Sequence, residues 1–204
     1  MFTRPLSMFI FATLHLAACN GDDRRASTGA SGVGGGSCGE LSTARAPAVP
    51  DGLRRPDGAK LVARLIGKGS QVYTCTTNTD GGARAWTLKA PDAKLYGEDG
   101  CGPIGTHFAG PTWKLDGDGS SVVAARVASA PSPRSDSIPW LLLEATSTSG
   151  QGRFGAVTAI QRLETDGGVA PSSGCDATNA DHETSVPYSA LYAFYTGGTW
   201  DMAP

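Results

Sequence analysis

Histidine, aromatic residues and basic clusters are all scarce in this chain. Three histidines occur in 204 residues, aromatic residues make up 7%, and the formal net charge is −2. The chain has no stripe of lysine and arginine interleaved with aromatic residues, so we expect no nucleic-acid partner. No two cysteines have the close spacing of a structural zinc site, so we also expect no metal.

The apolar run at the N-terminus is too short to cross a membrane as a helix. The chain begins MFTRPLSMFIFATLHLAAC, in which Arg4 precedes a mainly apolar run at residues 6–18. A spanning helix needs roughly 20 apolar residues. The run ends in Leu-Ala-Ala-Cys and resembles the signal of bacterial lipoproteins, in which the cysteine carries the lipid.

This resemblance predicts a signal peptide at 1–18 and lipid attachment at Cys19. The partner is then a membrane, and the protein is extracytoplasmic, in the bacterial cell envelope. Asn20 stands where inner-membrane lipoproteins have Asp, which favours the outer membrane. Residues 19–59 are rich in Gly, Ser, Ala and Pro and predict a flexible tether. Residues 60–204 then form a single domain.

Four cysteines remain if Cys19 carries lipid: Cys38, Cys75, Cys101 and Cys175. An even number of cysteines in an exported chain predicts two disulfides. Three pairings are possible on the sequence alone.

From residue 60 onward the sequence has the pattern of short β-strands. Apolar, β-branched and aromatic residues are enriched in short segments that turn clusters such as TDGG and DGDGSS separate. We predict eight strands: KLVARLIG, SQVYTCTT, ARAWTLKA, PTWKL, SSVVAARVA, IPWLLLEAT, GAVTAIQRLE and PYSALYAFYT. The first two are separated by a predicted turn at residues 67–69. No long segment has helical apolar spacing, so the fold class is all-β, an antiparallel sandwich or barrel.

Six blocks of the domain resemble, in order, a family of exported bacterial and fungal proteins of unknown function, DUF3455. The blocks are QVYTC, APDAKLY, GTHFAGPTWKLDGDGSSVV, IPWLLLEAT, IQRLETDGGVAPSSGC and PYSALYAFYT, and the resemblance covers residues 61–196. It implies that Cys75 and Cys175 recur in the family, which supports pairing them. Cys38 is then left to pair with Cys101. Some fungal members have been labelled malate dehydrogenases, although the family has no established activity.

Two glycine motifs match enzyme signatures without the required context. Residues 100–105, GCGPIG, spell the G-x-G-x-x-G of a dinucleotide site, which must follow a buried strand and open a helix. Here a polar segment precedes the motif, and Gly110-Pro111 leaves no room for the helix. Residues 35–39, GGSCG, spell the G-x-S-x-G of a nucleophile elbow but lie in the predicted tether. We therefore expect no nicotinamide cofactor, and the sequence indicates no other cofactor.

His107 is the best catalytic candidate. A neutral imidazole could act as a base, oriented by Asp116 or Asp118 across a hairpin, although no nucleophile motif accompanies it. The same aspartates suggest calcium, but the positions of an EF-hand loop are not met, and a hairpin turn is favoured. Four further carboxylates are candidates for glycoside cleavage, with nothing to select two of them: Glu98, Asp99, Glu144 and Glu164.

Four aromatic residues are candidates for lining a carbohydrate or apolar ligand cleft: Trp113, Trp140, Tyr188 and Tyr192. The alternative is that they fill a β core. Arg162 is expected to be a buried structural cation paired with Glu144 or Asp166.

Three functions remain open on these residues. The first is a lipid-anchored envelope protein whose β domain binds or supports without catalysing. The second is a hydrolase of surface polymers, for which His107 would be the base. The third is a carrier of a small apolar ligand. The sequence does not indicate the oligomeric state.

Overall fold

Eight antiparallel strands close into one barrel in the computed structural model, which describes residues 41–43, 45–77 and 82–200. Each strand pairs with the next along the chain, and the first pairs with the last to close the ring. The strands are β1 Lys60–Thr77, β2 Arg84–Tyr96, β3 Pro103–Phe108, β4 Thr112–Leu115, β5 Ser121–Ala130, β6 Trp140–Ser149, β7 Val157–Gly167 and β8 Glu183–Thr196. The all-β antiparallel prediction is confirmed, and the architecture is the barrel.

Strand β1 differs from the prediction because the expected turn at 67–69 is absent. The two predicted strands form one 18-residue strand. A Cβ on Gly67 would lie 2.6 Å from the Tyr192 ring, and one on Gly69 would clash with the backbone of Asp92 and Ala93. These glycines therefore permit close packing inside the barrel and do not form a turn. The count remains eight because β3 is a strand that the sequence reading did not include.

The barrel has two ends, which we call the filled end and the open end. At the filled end lie the connections 97–102, 116–120 and 150–156, together with the start of β1 and the end of β8. The inward side chains there are apolar and close-packed, and the Phe154 and Phe194 rings stack at 4.3 Å. At the open end lie the connections 109–111, 131–139 and 168–182.

The outside of the barrel is covered on one side by residues 45–59. The predicted tether includes this segment, yet its Leu53 is fully buried against Leu142 and Leu163. Gln161 on β7 donates to the Leu53 carbonyl at 2.6 Å and accepts from the Tyr195 hydroxyl at 2.7 Å. A few apolar anchors in a proline-rich stretch are thus enough to fix it on the sheet.

The disulfide between Cys75 and Cys175 is confirmed, with Cα atoms 5.3 Å apart. It ties the end of β1 to the β7–β8 connection, which includes a single 3-10 turn at Ala177–Asn179. Cys38, the expected partner of Cys101, lies outside the described residues, as do Cys19 and the predicted signal peptide. Within the described ranges, no helix is long and apolar enough to span a bilayer.

Candidate functional site

A cavity of about 430 Å³ occupies the interior at the open end. This volume is in the range of roughly 300–1,000 Å³ that small-molecule sites usually have. The apolar part of its wall includes Leu88, Pro91, Pro111, Ile138, Leu141 and Leu143. The polar part includes Gln71, Tyr73, His107, Arg126, Arg162 and Tyr192. Leu88 is half exposed and Arg126 is exposed, so these two residues mark the mouth.

His107 lies on the cavity wall, where β3 approaches its turn. Its ring stacks on Trp113, directly opposite on β4, with centroids 4.2 Å apart. Nδ1 lies 2.9 Å from the Thr112 carbonyl oxygen, which can only accept, so Nδ1 carries the hydrogen and Nε2 is left as an acceptor. Burial lowers the pKa of His107 to about 3, so the imidazole is neutral at physiological pH. It is correspondingly a weak base.

Arg162 brings a positive charge inside the barrel. Its Nε and one terminal nitrogen donate to the Pro139 carbonyl at 3.2 and 2.8 Å. Burial lowers the pKa of the guanidinium, and the nearby hydroxyls of Tyr192, Tyr188 and Tyr73 partly offset that effect. An arginine nevertheless stays protonated in proteins. Throughout the described part of the chain, no carboxylate forms an ion pair with it.

The predicted partners of Arg162 lie elsewhere. Asp166 pairs with Arg134 at 3.0 Å on the surface, and Glu144 lies on the outer side of β6. The register shift between Leu163 and Asp166 turns Asp166 away from the face of Arg162, since a bulge changes which residues of β7 face inward. Glu144 faces outward by the alternation of β6, in which Leu141 and Leu143 line the cavity.

Two buried donors of the cavity wall have no partner. Gln71 is 2% exposed and Trp113 is 1% exposed. Neither Gln71 Nε2 nor Trp113 Nε1 has a hydrogen-bond acceptor among the described residues, although Gln71 lies beside the Tyr188 hydroxyl. A buried unpaired donor costs roughly 1–3 kcal/mol, so such groups commonly mark a place where water or a ligand binds.

Tyr73 and Tyr192 line the cavity, and Tyr188 lies beside Tyr192. The Tyr188 and Tyr192 hydroxyls lie 3.2 Å apart, and the Tyr73 hydroxyl donates to the Gly168 carbonyl at 2.5 Å. Burial raises the pKa of all three hydroxyls above the ordinary value. They are therefore neutral at physiological pH and act only as hydrogen-bonding groups.

The structure brings together three of the four aromatic residues predicted to bind a ligand. Trp113 and Tyr192 line the cavity in an edge-to-face pair at 5.4 Å, and Tyr188 bonds to Tyr192. Trp140 instead lies on the outside, where it packs with Leu53 and Leu142. Gln71 also lines the cavity, although the sequence did not predict it as a site residue. Side chains of β1 alternate between the inside and the outside of the barrel, and Gln71 is at an inward position.

The two aspartates proposed to assist His107 lie at the other end of the hairpin. The Asp116 amide bonds to the Ile104 carbonyl, and Asp118 Oδ1 accepts from the Ser120 amide and hydroxyl at 2.9 and 2.6 Å. Both carboxylates border a separate pocket at the filled end. Asp118 caps a turn there, and the structure does not join either residue to His107.

The remaining carboxylate and metal candidates are dispersed. Glu98 pairs with Arg64 at 2.9 Å, and Glu164 is exposed on a residue with φ of 49°. Among the described residues, no group of three or more His, Cys, Asp or Glu side chains is arranged to hold a metal ion.

The glycine motif at residues 100–105 does not open a helix. Its first part lies in the β2–β3 connection, and Gly105 lies within β3 opposite Leu115. A Cβ at Gly105 would clash with the Lys114 carbonyl, so the glycine serves a close strand contact.

The family model of a protein of unknown function, DUF3455, matches residues 56–196. The chain belongs to this family. The match spans the whole barrel, including the cavity wall and both cysteines of the disulfide. No curated protein and no solved structure matches the chain.

Proposed function

We propose that this DUF3455 domain is a non-catalytic binding protein that holds a small, largely apolar molecule in the open end of its barrel. The observation that supports this most directly is the cavity itself. It has about 430 Å³ of space, a largely apolar wall and a bottom closed by the packed aromatic residues of the filled end. A barrel interior that is filled at one end and empty at the other has the form of a ligand site.

The chemistry of His107 favours binding over hydrolysis. Its Nδ1 proton is held by a backbone carbonyl and not by a carboxylate. A base with a pKa of about 3 would be far from the operating pH that general-base catalysis favours. In a binding site the same ring supplies an acceptor and a flat surface stacked on Trp113.

The proposal includes anchoring of the domain in the cell envelope through Cys19. The sequence pattern at residues 16–19 supports it. The described residues nearest the N-terminus pair with the barrel near its filled end, away from the mouth of the cavity. Isolated antiparallel β-bridges join Ser42 to Arg64 and Asp57 to Thr199, both near the filled end of the barrel. We expect Cys19→Ser to abolish incorporation of labelled palmitate and to release the protein from the membrane fraction. Unchanged membrane association of this variant would contradict the anchoring.

Binding is tested with the full chain carrying Cys19→Ser, purified without detergent, since detergent monomers can occupy an apolar cavity. The probe is N-phenyl-1-naphthylamine, a neutral dye whose fluorescence rises in apolar surroundings. We expect saturable binding at one site per chain. Ala124→Phe, which fills the cavity from β5, should weaken binding at least about tenfold.

The matched control is Ser147→Phe, which adds the same ring on the exposed face of β6. It should leave dye binding unchanged. If Ala124→Phe folds normally and still binds the dye as the parent does, the dye is not in the cavity and the proposal is wrong.

A further inference from the structure

The cavity presents hydrogen-bond donors and positive charge without a negative group to match. Two arginines line it, Arg162 inside and Arg126 at the mouth, and no carboxylate is part of the wall that the described residues form. Arg162 is partly buried, and a charge that has lost part of its water favours a partner of opposite sign. The unmatched cation is the feature of this interior that most requires a partner.

The protein's own groups meet only part of that requirement. The Pro139 carbonyl accepts from two of the five N–H groups of Arg162, and the Tyr192 hydroxyl is a further partner of the guanidinium. The nearby tyrosines cannot neutralise the guanidinium, because burial raises the pKa of Tyr188 and Tyr192 and keeps both hydroxyls protonated. The carbonyl and the hydroxyls supply dipoles but no negative charge.

Two further donors share the same cavity wall. Gln71 Nε2 and Trp113 Nε1 are buried and form no hydrogen bond in the described part of the structure, with the Tyr188 hydroxyl beside Gln71. An ionised carboxylate is acceptor-only, has about four lone-pair positions, and fits the fork of an arginine. A monoanion in this cavity would meet the charge of Arg162 and bring acceptors to the wall that Gln71 and Trp113 share.

The rest of the wall specifies an apolar body. Ile138, Leu141 and Leu143 line the cavity, and half-exposed Leu88 lies at its mouth. Because the two further donors are almost completely buried, the charged end of a ligand would enter first and its apolar part would point towards Leu88. A single interior cation also matches a monocarboxylate better than a doubly charged phosphate.

We propose that the ligand is a compact monocarboxylic acid whose carboxylate binds Arg162, Gln71 and Trp113 inside the barrel while its apolar body fills the space up to Leu88. This inference rests on the proposed binding function and adds the chemical class of the ligand. Arg162, Gln71 and Trp113 are the specificity-determining residues.

The test compares an acid with its neutral amide of nearly the same shape. Titration calorimetry of the full chain with Cys19→Ser uses 4-phenylbutyrate and 4-phenylbutanamide. We expect the acid to bind about 10- to 100-fold more tightly, as a charge-assisted contact predicts. Straight-chain acids of six to about twelve carbons and the corresponding alcohols, competed against N-phenyl-1-naphthylamine, extend the comparison to other apolar bodies.

Variants locate the preference. Arg162→Met should reduce acid affinity to that of the amide and leave amide affinity within about threefold. Arg134→Met, which removes an exposed cation outside the cavity wall, should preserve the acid-to-amide ratio. Arg162→Lys keeps the charge without the fork and should give an intermediate ratio. If Arg162→Met does not fold, the inference is tested by the ratio of acid to amide affinity in the parent protein and in Arg162→Lys.

The outcomes separate the inference from the function on which it rests. If the neutral dye binds but acids bind no better than amides or alcohols, or no acid displaces the dye, the carboxylate inference is overturned and the binding function stands. If neither the dye nor any acid binds, both are overturned. A preference for acids that Arg162→Met leaves intact would contradict the assignment of Arg162.

Discussion

The filled end and the open end of the barrel use the same eight strands and differ in what faces inward. At the filled end, Phe154 and Phe194 stack at 4.3 Å, and Leu95 is fully buried beside them in the core. At the open end, His107 and Trp113 stack almost as closely, at 4.2 Å, but they border about 430 Å³ of space. One end is a hydrophobic core, and the other is a polar-edged cavity.

This difference shows how a small barrel can divide stability from binding. Apolar burial at the filled end stabilises the fold, since each buried leucine or phenylalanine contributes about 1.5–3 kcal/mol. The interior groups at the open end, among them the partly buried Arg162, border empty space and contribute less packing. Binding sites commonly lower stability in this way, and the rest of the protein compensates.

The open end is held by covalent and polar links more than by packing. The disulfide fixes the 168–182 connection to β1, and the Trp86 indole donates to the Ser173 carbonyl of the same connection at 2.9 Å. The connections of the filled end are all shorter than the 131–139 and 168–182 connections of the open end, and packed side chains support them from within.

Removing the disulfide is the change with the largest expected effect. The bond spans 100 residues, for which the chain-entropy model gives about 4.7 kcal/mol, and measured losses for native bonds are roughly 2–5 kcal/mol. We expect the double variant Cys75→Ala with Cys175→Ala to lose that much free energy of unfolding in urea titration. Trp86→Phe, which removes one hydrogen bond to the same connection, should lose only about 1 kcal/mol. Equal losses for the two variants would mean that the disulfide contributes no more than one hydrogen bond, which would contradict its role as the main constraint on the open end.

A matched pair of leucines measures the contrast between the two ends directly. Leu95 is fully buried at the filled end, and Leu143 is 3% exposed on the cavity wall. Leu95→Ala should cost about 3–5 kcal/mol because its contacts surround it, whereas Leu143→Ala should cost roughly 2 kcal/mol because one side already faces empty space. Chemical denaturation gives both values, and a larger loss at Leu143 would contradict the division into a filled and an open end.

The sequence predicts the fold well because period-two alternation, turn clusters and the absence of helical spacing agree over the whole domain. It does not predict how glycines act. Gly67 and Gly69 have the same local appearance as turn residues, but they lie mid-strand because Tyr192 and β2 approach them from elsewhere in the chain. Such contacts are not encoded locally.

For the candidate site, too, the sequence shows the residue types but not which side chains face the interior. His107, Trp113 and Tyr192 are recognisable by residue type, but Trp113 faces inward and Trp140 faces outward for reasons of register. In β6, Leu141 and Leu143 face the cavity, so Trp140 and Glu144 face outward, and the bulge in β7 turns Asp166 away from Arg162. For this reason the predicted ion pair of Arg162 with Glu144 or Asp166 is wrong, and the unmatched cation is visible only in the assembled barrel.

His107 provides a pH-dependent measure of burial at the open end. Its pKa is about 3 in the folded protein and about 6.5 when unfolded. Between these values the unfolded chain binds the proton and the folded chain does not. The free energy of unfolding therefore keeps its full value above pH 6.5 and decreases as the pH falls below it. The slope approaches about 1.4 kcal/mol per pH unit.

The variant His107→Phe keeps a ring on Trp113 and removes the titrating group. It should lose about 1 kcal/mol at pH 7, from the bond to Thr112, and flatten the pH dependence of stability between pH 4.5 and 6.5. Asp118 and Asp176 titrate below their ordinary pKa of 3.8 and do not obscure this window. His182→Gln, on an exposed loop, is the control for replacing a histidine elsewhere in the chain. A slope that His107→Phe leaves unchanged would mean that the ring is hydrated when the protein is folded.

The smallest effect is expected at the mouth, where stability and binding should separate completely. Leu88 is 50% exposed and borders the cavity, whereas Val127 is 47% exposed and is not part of the cavity wall. Leu88→Ser and Val127→Ser should each change the free energy of unfolding by less than about 0.5 kcal/mol. Only Leu88→Ser should weaken binding of N-phenyl-1-naphthylamine, by about fourfold, which corresponds to roughly one buried methylene at 0.8 kcal/mol. Equal weakening by both variants would place the dye on the outer surface, and a loss of stability at Leu88 would mean that the mouth is part of the structural core.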